Sequence, residues 1–308
     1  MSLSLPALPS GPLVSTDWLA AHLDAANARA LRVVDIRGKV LPATAPSPRY
    51  LSKRAEYDAA HIPGAVFVDW TRDIVDLDDP VPVQIAKPDI FQRKMQELGI
   101  GDDTSVIVYD DYNTMFAGRM AWALRYFGHD RVRILDGGLA LWLAEGRATT
   151  AASPRAADPV TFTPRARPLL RRTADQVEAA LGNADTLLVD ARPPGQFVGN
   201  ASAASRAGHI PGAKNVHYSR LVDPATGKLL PRERLKEVFA SAGVDVDNLP
   251  RDVVAYCNGG VSASVPITAL AILGRTDVAL YDGSWNEWGN DPTRVIASAD
   301  AAPNKASG

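Results

Sequence analysis

The sequence predicts an α/β fold made of two tandem units, each a parallel sheet flanked by helices. Three observations carry that prediction. Short apolar, β-branched runs alternate with helical stretches along most of the chain, as crossover-linked parallel strands do. A set of motifs also occurs twice at a nearly constant offset. Val33-Val34-Asp35-Ile36-Arg37 returns as Leu188-Val189-Asp190-Ala191-Arg192, and His61-Ile62-Pro63-Gly64-Ala65 as His209-Ile210-Pro211-Gly212-Ala213. Asp136-Gly137 returns as Asp282-Gly283, and Trp142 as Trp288. Units of about 130 residues repeating at fixed spacing indicate duplication of one folding unit. Finally, residues 148–168 are rich in Ala, Thr, Pro and Arg without a period, which reads as the connection between the units.

Taken in order, residues 1–14, with prolines at 6, 9 and 12, read as a flexible lead-in. Ser15 to Leu23 predicts a helix capped by Ser15 or Thr16, with an acidic first turn. Leu31 to Ile36 reads as a buried strand, followed by a polar, Pro-rich loop through Pro48 and a short strand at Val66 to Val68. Ile90 to Leu98 predicts a helix stopped by Gly99, Ser105 to Tyr109 a strand, and Ala117 to Phe127 a helix stopped by Gly128. Val132 to Leu135 reads as a strand and Leu139 to Glu145 as a short helix. This gives a first domain over 15–147, a linker over 148–168, a second domain over 169–297 and a tail over 298–308.

Composition narrows the function. A hydrophobic content of 46% and a charged content of 22% are those of an ordinary globular protein. The net charge of −2, without a Lys/Arg block, gives no reason to expect nucleic acid or an anionic membrane as partner. No apolar run approaches the ~20 residues of a membrane span, and Met1 to Pro12 lacks the basic and apolar regions of a secretory signal. The single cysteine excludes an intramolecular disulfide and any multi-cysteine metal site. A cytoplasmic location is expected, with neither metal nor cofactor.

That cysteine ends the stretch around which the chain is organised, Val253-Val254-Ala255-Tyr256-Cys257-Asn258-Gly259-Gly260-Val261-Ser262. A strand stops at a thiol, a Gly-Gly loop follows, and a helix is expected from Ala263 to Leu273. Glycines at positive φ let successive N–H groups converge on one spot, and the helix start adds partial positive charge there. Cys257 is therefore the candidate nucleophile, expected as a low-pKa thiolate held by the amides of Asn258, Gly259, Gly260, Val261 and Ser262. The alternative is a small buried hydrophobe. In the first unit the matching strand ends at Asp110, followed by Asp111-Tyr112-Asn113, and no thiol is present. That unit is expected to be inactive and to form one wall of a cleft.

The two His-Ile-Pro-Gly-Ala segments, Val189-Asp190-Ala191-Arg192, the loop Cys257 to Ser262 and Asp282-Gly283-Ser284-Trp285-Asn286-Glu287-Trp288 together resemble the rhodanese family of sulfurtransferases. The likeness runs from about Ser15 to Trp288 and includes a silent first and an active second unit. It implies that Cys257 takes a sulfur atom from a donor, becomes a persulfide, and passes the outer sulfur to cyanide or a thiol. A covalent intermediate implies ping-pong kinetics. In the thiosulfate branch of the family the loop carries Arg-Lys after the cysteine. In the mercaptopyruvate branch it carries Gly-Ser, with an Arg in a Gly-Arg-Phe segment to hold the donor's carboxylate. This chain has Asn258-Gly259-Gly260 in the loop and Gly195-Gln196-Phe197 in the segment. Both the basic pair and the serine are missing, and Gln196 has no charge for a bidentate clamp. The uncharged loop favours 3-mercaptopyruvate or another organic donor over thiosulfate.

The remaining candidates carry two readings each. Arg206 is an anion clamp or a solvated loop charge, and His61 faces the cleft or hydrogen-bonds within its own unit. Ser262 contacts substrate or caps the following helix. Arg192 is expected in a buried ion pair, Tyr256 within the sheet, and Trp285 and Trp288 in the core. A cysteine phosphatase is excluded, since the Arg it needs six residues after the cysteine is Ala263 here. A non-catalytic module, or a persulfide carrier serving a protein partner, is the alternative function.

Overall fold

The computed structural model describes residues 7–23, 31–42, 45–156 and 158–298. In the first half, β1 (Leu13–Val14) precedes α1 (Thr16–Ala21), β2 (Leu31–Asp35), the hairpin of β3 (Gly38–Val40) and β4 (Tyr50–Ser52), α2 (Arg54–Ala59) and β5 (Val66–Phe67). Then come α3 (Pro88–Glu97), β6 (Ser105–Tyr109), α4 (Met115–Tyr126), β7 (Val132–Leu135) and α5 (Gly138–Ala144). The second half has β8 (Arg171–Arg172), α6 (Ala174–Ala179), β9 (Thr186–Asp190), α7 (Pro194–Phe197) and β10 (Lys214–Asn215). It ends with α8 (Arg232–Ser241), β11 (Asp252–Tyr256), α9 (Ser264–Ile272), β12 (Ala279–Tyr281) and α10 (Ser284–Trp288).

The two sheets have one topology. The first runs β1-β7-β6-β2-β5 and the second β8-β12-β11-β9-β10, with every pair parallel. Registers correspond as well: Asp35 lies beside Tyr109 as Asp190 lies beside Tyr256. Central strands β2 and β6 are buried along their whole length, so neither shows the apolar/polar alternation of a one-faced strand.

The repeated motifs occupy equivalent places. Asp35 and Arg37 form a buried ion pair, as do Asp190 and Arg192. Tyr109 and Tyr256 each accept at the hydroxyl from the Ile amide of the His-Ile-Pro-Gly turn, at 3.1 Å. Arg192, Tyr256, Trp285 and Trp288 are thus core residues, as expected.

Two expectations are corrected. The lead-in over 1–14 is not wholly flexible: Leu13–Val14 form the edge strand of the first sheet, the counterpart of β8, and Ile134 donates its amide to the Pro12 carbonyl. Residues 1–6, and 299–308 of the tail, lie outside the described residues. The Pro-rich loop through Pro48 begins with strand β3, which pairs antiparallel with β4 just beyond it in a hairpin that leans over the second unit.

The two units share one apolar core that includes Cys257. Helices α4 and α9 meet at its centre. Gly118 permits the approach, because a Cβ there would fall 2.6 Å from Ser264 Oγ. The reciprocal contacts echo the duplication: Asp282 accepts from the Ile85 amide and Asp136 from the Leu229 amide.

Candidate active site

Cys257 lies where β11 ends and is 2% exposed. It sits in a cleft of about 210 Å³ between the units. The second unit contributes Cys257, Asn258, Gly259, Val261, Ser262, Pro193, Gln196, Ala203 and Tyr218, and the first contributes Val40, Leu41, Pro42, Arg49, Tyr50, Tyr112 and Met115.

The loop's carbonyls are tied down around it. Trp285 donates to Cys257 O at 3.0 Å, Asn286 to Asn258 O at 2.8 Å, Ser264 to Val261 O at 3.1 Å, and Val265 to Ser262 O at 3.1 Å. The amides of Asn258, Gly259, Val261, Ser262 and Ala263 donate to nothing among the described residues. A loop whose carbonyls are mostly occupied and whose amides are mostly open is an anion cradle.

One member of the expected cradle differs. The Gly260 amide is turned to Ser284 Oγ, which also takes the Cys257 amide, each at 3.1 Å, and donates to the Tyr281 carbonyl at 2.8 Å. Ser284 holds φ +51, a costly conformation for a residue with a side chain. The matching position in the first unit is Gly138, at φ +54. The hydroxyl is thus present only in the unit that carries the thiol. In the sequence it lies within the Asp282-Gly283-Ser284 motif, where nothing local marks its target.

The two loop glycines have different reasons. Gly260 has φ +72 and faces Asp282 and Arg119, which leave no room for a Cβ. Gly259 is required by space alone: its Cβ would lie 2.8 Å from Val83 and 2.9 Å from Asn286.

Beneath the loop, Arg119 of the first unit is 1% exposed. Its guanidinium reaches Asp282 Oδ1 at 2.6 Å, the Val83 carbonyl at 3.0 Å and the Gly260 carbonyl at 3.4 Å. The first unit thus braces the Cys257 loop with a buried charge, a role its position mid-helix did not announce.

The first unit's own loop is closed by its acid. Asp110 Oδ2 accepts from Phe116 and Ala117 at 2.8 and 2.9 Å, and Oδ1 from Tyr112 at 3.0 Å. A carboxylate fills the cradle from within. Burial is the largest influence on it and pushes its pKa from 3.8 up to about 6. The folded state then holds its proton longer than the unfolded chain does, so this group's contribution to stability falls as pH rises through that window. Asp110→Asn is expected to flatten that part of the stability–pH curve, measured by urea unfolding at successive pH values.

Other sequence candidates divide. Gln196 and Ser262 line the cleft. Ser262 does not cap the helix, whose N-cap is Ala263 with no side-chain bond. His61 is not in the cleft. It is 1% exposed, stacks on Tyr57, and its ring nitrogens lie 2.8 and 3.1 Å from the Tyr57 and Ala152 carbonyls. Arg206 is not an anion clamp either. Its guanidinium donates to the carbonyls of Arg294 at 2.8 Å, Trp288 at 2.9 Å and Asp291, fastening the segment after α10. Arg206→Met is expected to cost about 1–3 kcal/mol of stability while leaving KM for the donor within about twofold, checked by thermal unfolding and steady-state kinetics. Among the described lining residues the charged one is Arg49, from the hairpin β3–β4.

Comparison with known proteins decides the family. The Rhodanese-like domain matches residues 15–145 and 173–291. The chain belongs to the rhodanese family. It is 36% identical over 285 residues to the 3-mercaptopyruvate sulfurtransferase of Escherichia coli, covering 90% of this chain and 94% of that one. It is 34% identical over 283 residues to the thiosulfate sulfurtransferase of Rattus norvegicus, covering 90% and 91%. The crystal structure of the 3-mercaptopyruvate sulfurtransferase SseA from Escherichia coli superposes with a TM-score of 0.77 at 33% identity, covering 90% of this chain and 99% of that one. As a rhodanese-family member, this chain has its one thiol in the second of the two matched segments.

Proposed function

We propose that in this sulfurtransferase Cys257 carries the transferred sulfur as a persulfide, taken from 3-mercaptopyruvate or a similar organic donor and given to a thiol or cyanide. The observation that carries this reading is the position of the chain's single thiol, in an interdomain cleft beside five open backbone amides. A thiolate attacks the donor sulfur, and the amides stabilise negative charge on the outer sulfur once it is bound. The amides of Asn258, Gly259, Val261, Ser262 and Ala263 supply this cradle, Gly260 shapes it, and Gln196 borders the donor. The preference for an organic donor rests on the lining, which is mostly uncharged, includes Tyr50, Tyr112 and Tyr218, and has Arg49 but not the paired cations that suit a dianion.

The domain division supports the same reading, with a silent domain over 15–147 and a catalytic one over 169–297. No helix of the described residues is long and apolar enough to cross a membrane. A lone free cysteine suits a reducing compartment, and we place the protein in the cytoplasm. Initial rates with 3-mercaptopyruvate and with thiosulfate, each varied against cyanide, test the proposal. Parallel double-reciprocal lines and a higher kcat/KM for 3-mercaptopyruvate are expected; intersecting lines would exclude a free persulfide enzyme.

A further inference from the structure

Relative to mercaptopyruvate-type loops, this chain lacks two groups: a cation at Gln196 and a hydroxyl at Gly259. The structure brings both chemistries to the cleft from the opposite wall, on adjacent residues of the first unit's hairpin. Arg49 lines the cleft and reaches across it, donating to the Ala203 carbonyl at 3.2 Å. Tyr50 lines the same cleft, and its hydroxyl lies 3.2 Å from where a Cβ on Gly259 would stand. A serine at 259 is excluded by Val83 and Asn286, and the phenol reaches the same place from the other side.

We propose that Arg49 and Tyr50 handle the donor in this site, Arg49 holding its carboxylate and Tyr50 donating a hydrogen bond to the departing enolate oxygen. This rests on the reading that Cys257 takes sulfur from an α-keto thiol. In the first half-reaction the Cys257 thiolate attacks the sulfur of 3-mercaptopyruvate. The S–S bond forms, the S–C3 bond breaks, and its electron pair passes into the enolate of pyruvate. The outer sulfur then loses its proton as C3 gains one, leaving a persulfide anion and pyruvate. Charge builds on the enolate oxygen during C–S cleavage, where a fixed donor has most effect.

Tyr50 is fitted to that task. Its hydroxyl accepts from Asn286 Nδ2 at 2.8 Å, which leaves its own proton for the substrate. Its ring packs edge-on against Trp70 at 5.5 Å, fixing its direction. Burial, the largest influence, raises its pKa, so the phenol stays protonated at neutral pH. Arg49 offers the planar fork that Gln196 cannot.

Thiosulfate supplies the control, because its leaving group is sulfite and no enolate forms. Tyr50→Phe is expected to lower kcat with 3-mercaptopyruvate by about 10- to 100-fold, and to do so at least about tenfold more than with thiosulfate. Arg49→Met is expected to raise KM for 3-mercaptopyruvate by about tenfold or more, and Gln196→Arg in that background to recover most of it. Equal losses with both donors in Tyr50→Phe would make the phenol a prop for the loop and overturn its role. Failure of Gln196→Arg to rescue would overturn that of Arg49. A wild-type enzyme that uses thiosulfate but not 3-mercaptopyruvate would overturn this assignment and leave the persulfide standing. One that takes sulfur from neither would remove the underlying reading as well.

Discussion

Replacing Cys257 by Ala or Ser is expected to abolish sulfur transfer, by at least about 10³-fold with any donor, while the protein stays folded. The side chain is the only one of its kind in the sequence, and no other described group in the cleft can form a covalent link to sulfur of comparable strength. In Cys257→Ser the new hydroxyl oxygen would meet the same amides yet lacks the nucleophilicity for a sulfane donor. Stability should change little. Removing one sulfur from a site at the edge of the core leaves a small cavity, worth roughly 1 kcal/mol, and the hydrogen bonds that fix the loop run through its backbone and Ser284. Far-ultraviolet circular dichroism and thermal unfolding separate the two effects. Retained turnover in either variant would rule the mechanism out.

Arg119→Met is expected to cost about 3 kcal/mol or more, the usual penalty for stranding one partner of a buried ion pair. Asp282 is fully buried, and its remaining partners would be the Ile85 amide at 2.8 Å and Arg171 at 3.4 Å. At the size of these domains that amounts to a fall in Tm of roughly 6–12 °C. Activity should fall too, because Arg119 also holds the Gly260 carbonyl and the segment at Val83 that packs on Gly259. Adding Asp282→Asn removes the orphaned charge but keeps an acceptor for Ile85, so the double variant should regain most of the lost stability. If the single variant unfolds like the wild type, the first unit does not brace the loop through this pair.

The strands and helices that form the two sheets were legible because each is a short apolar run or a capped periodic segment, and because the repeat supplied each element with a second copy. Ser105 to Tyr109 and Val132 to Leu135 are strands over the expected residues. The hairpin β3–β4 was not legible: Pro42, Pro46 and Pro48 dominate the stretch between its strands, and composition there describes a loop. Arg206 reads as a possible clamp because it is a cation three residues before His209, but its place in the fold turns it toward the carbonyls after α10. Arg49, Tyr50 and Arg119 carry no local signal in the sequence, for one reason. Each belongs to the unit without a thiol and reaches the site only when the two units pack, and a contact across more than a hundred residues leaves no local trace.

The strand, the loop and both units converge on a single event at one atom, which mass measurement reads directly. After incubation with 3-mercaptopyruvate and removal of excess donor, the intact protein should gain the mass of one sulfur atom. Peptide mapping should place it on Cys257, and cyanide should remove it. A protein that gains no sulfur from 3-mercaptopyruvate or thiosulfate, or that gains it in Cys257→Ser as well, would contradict the account.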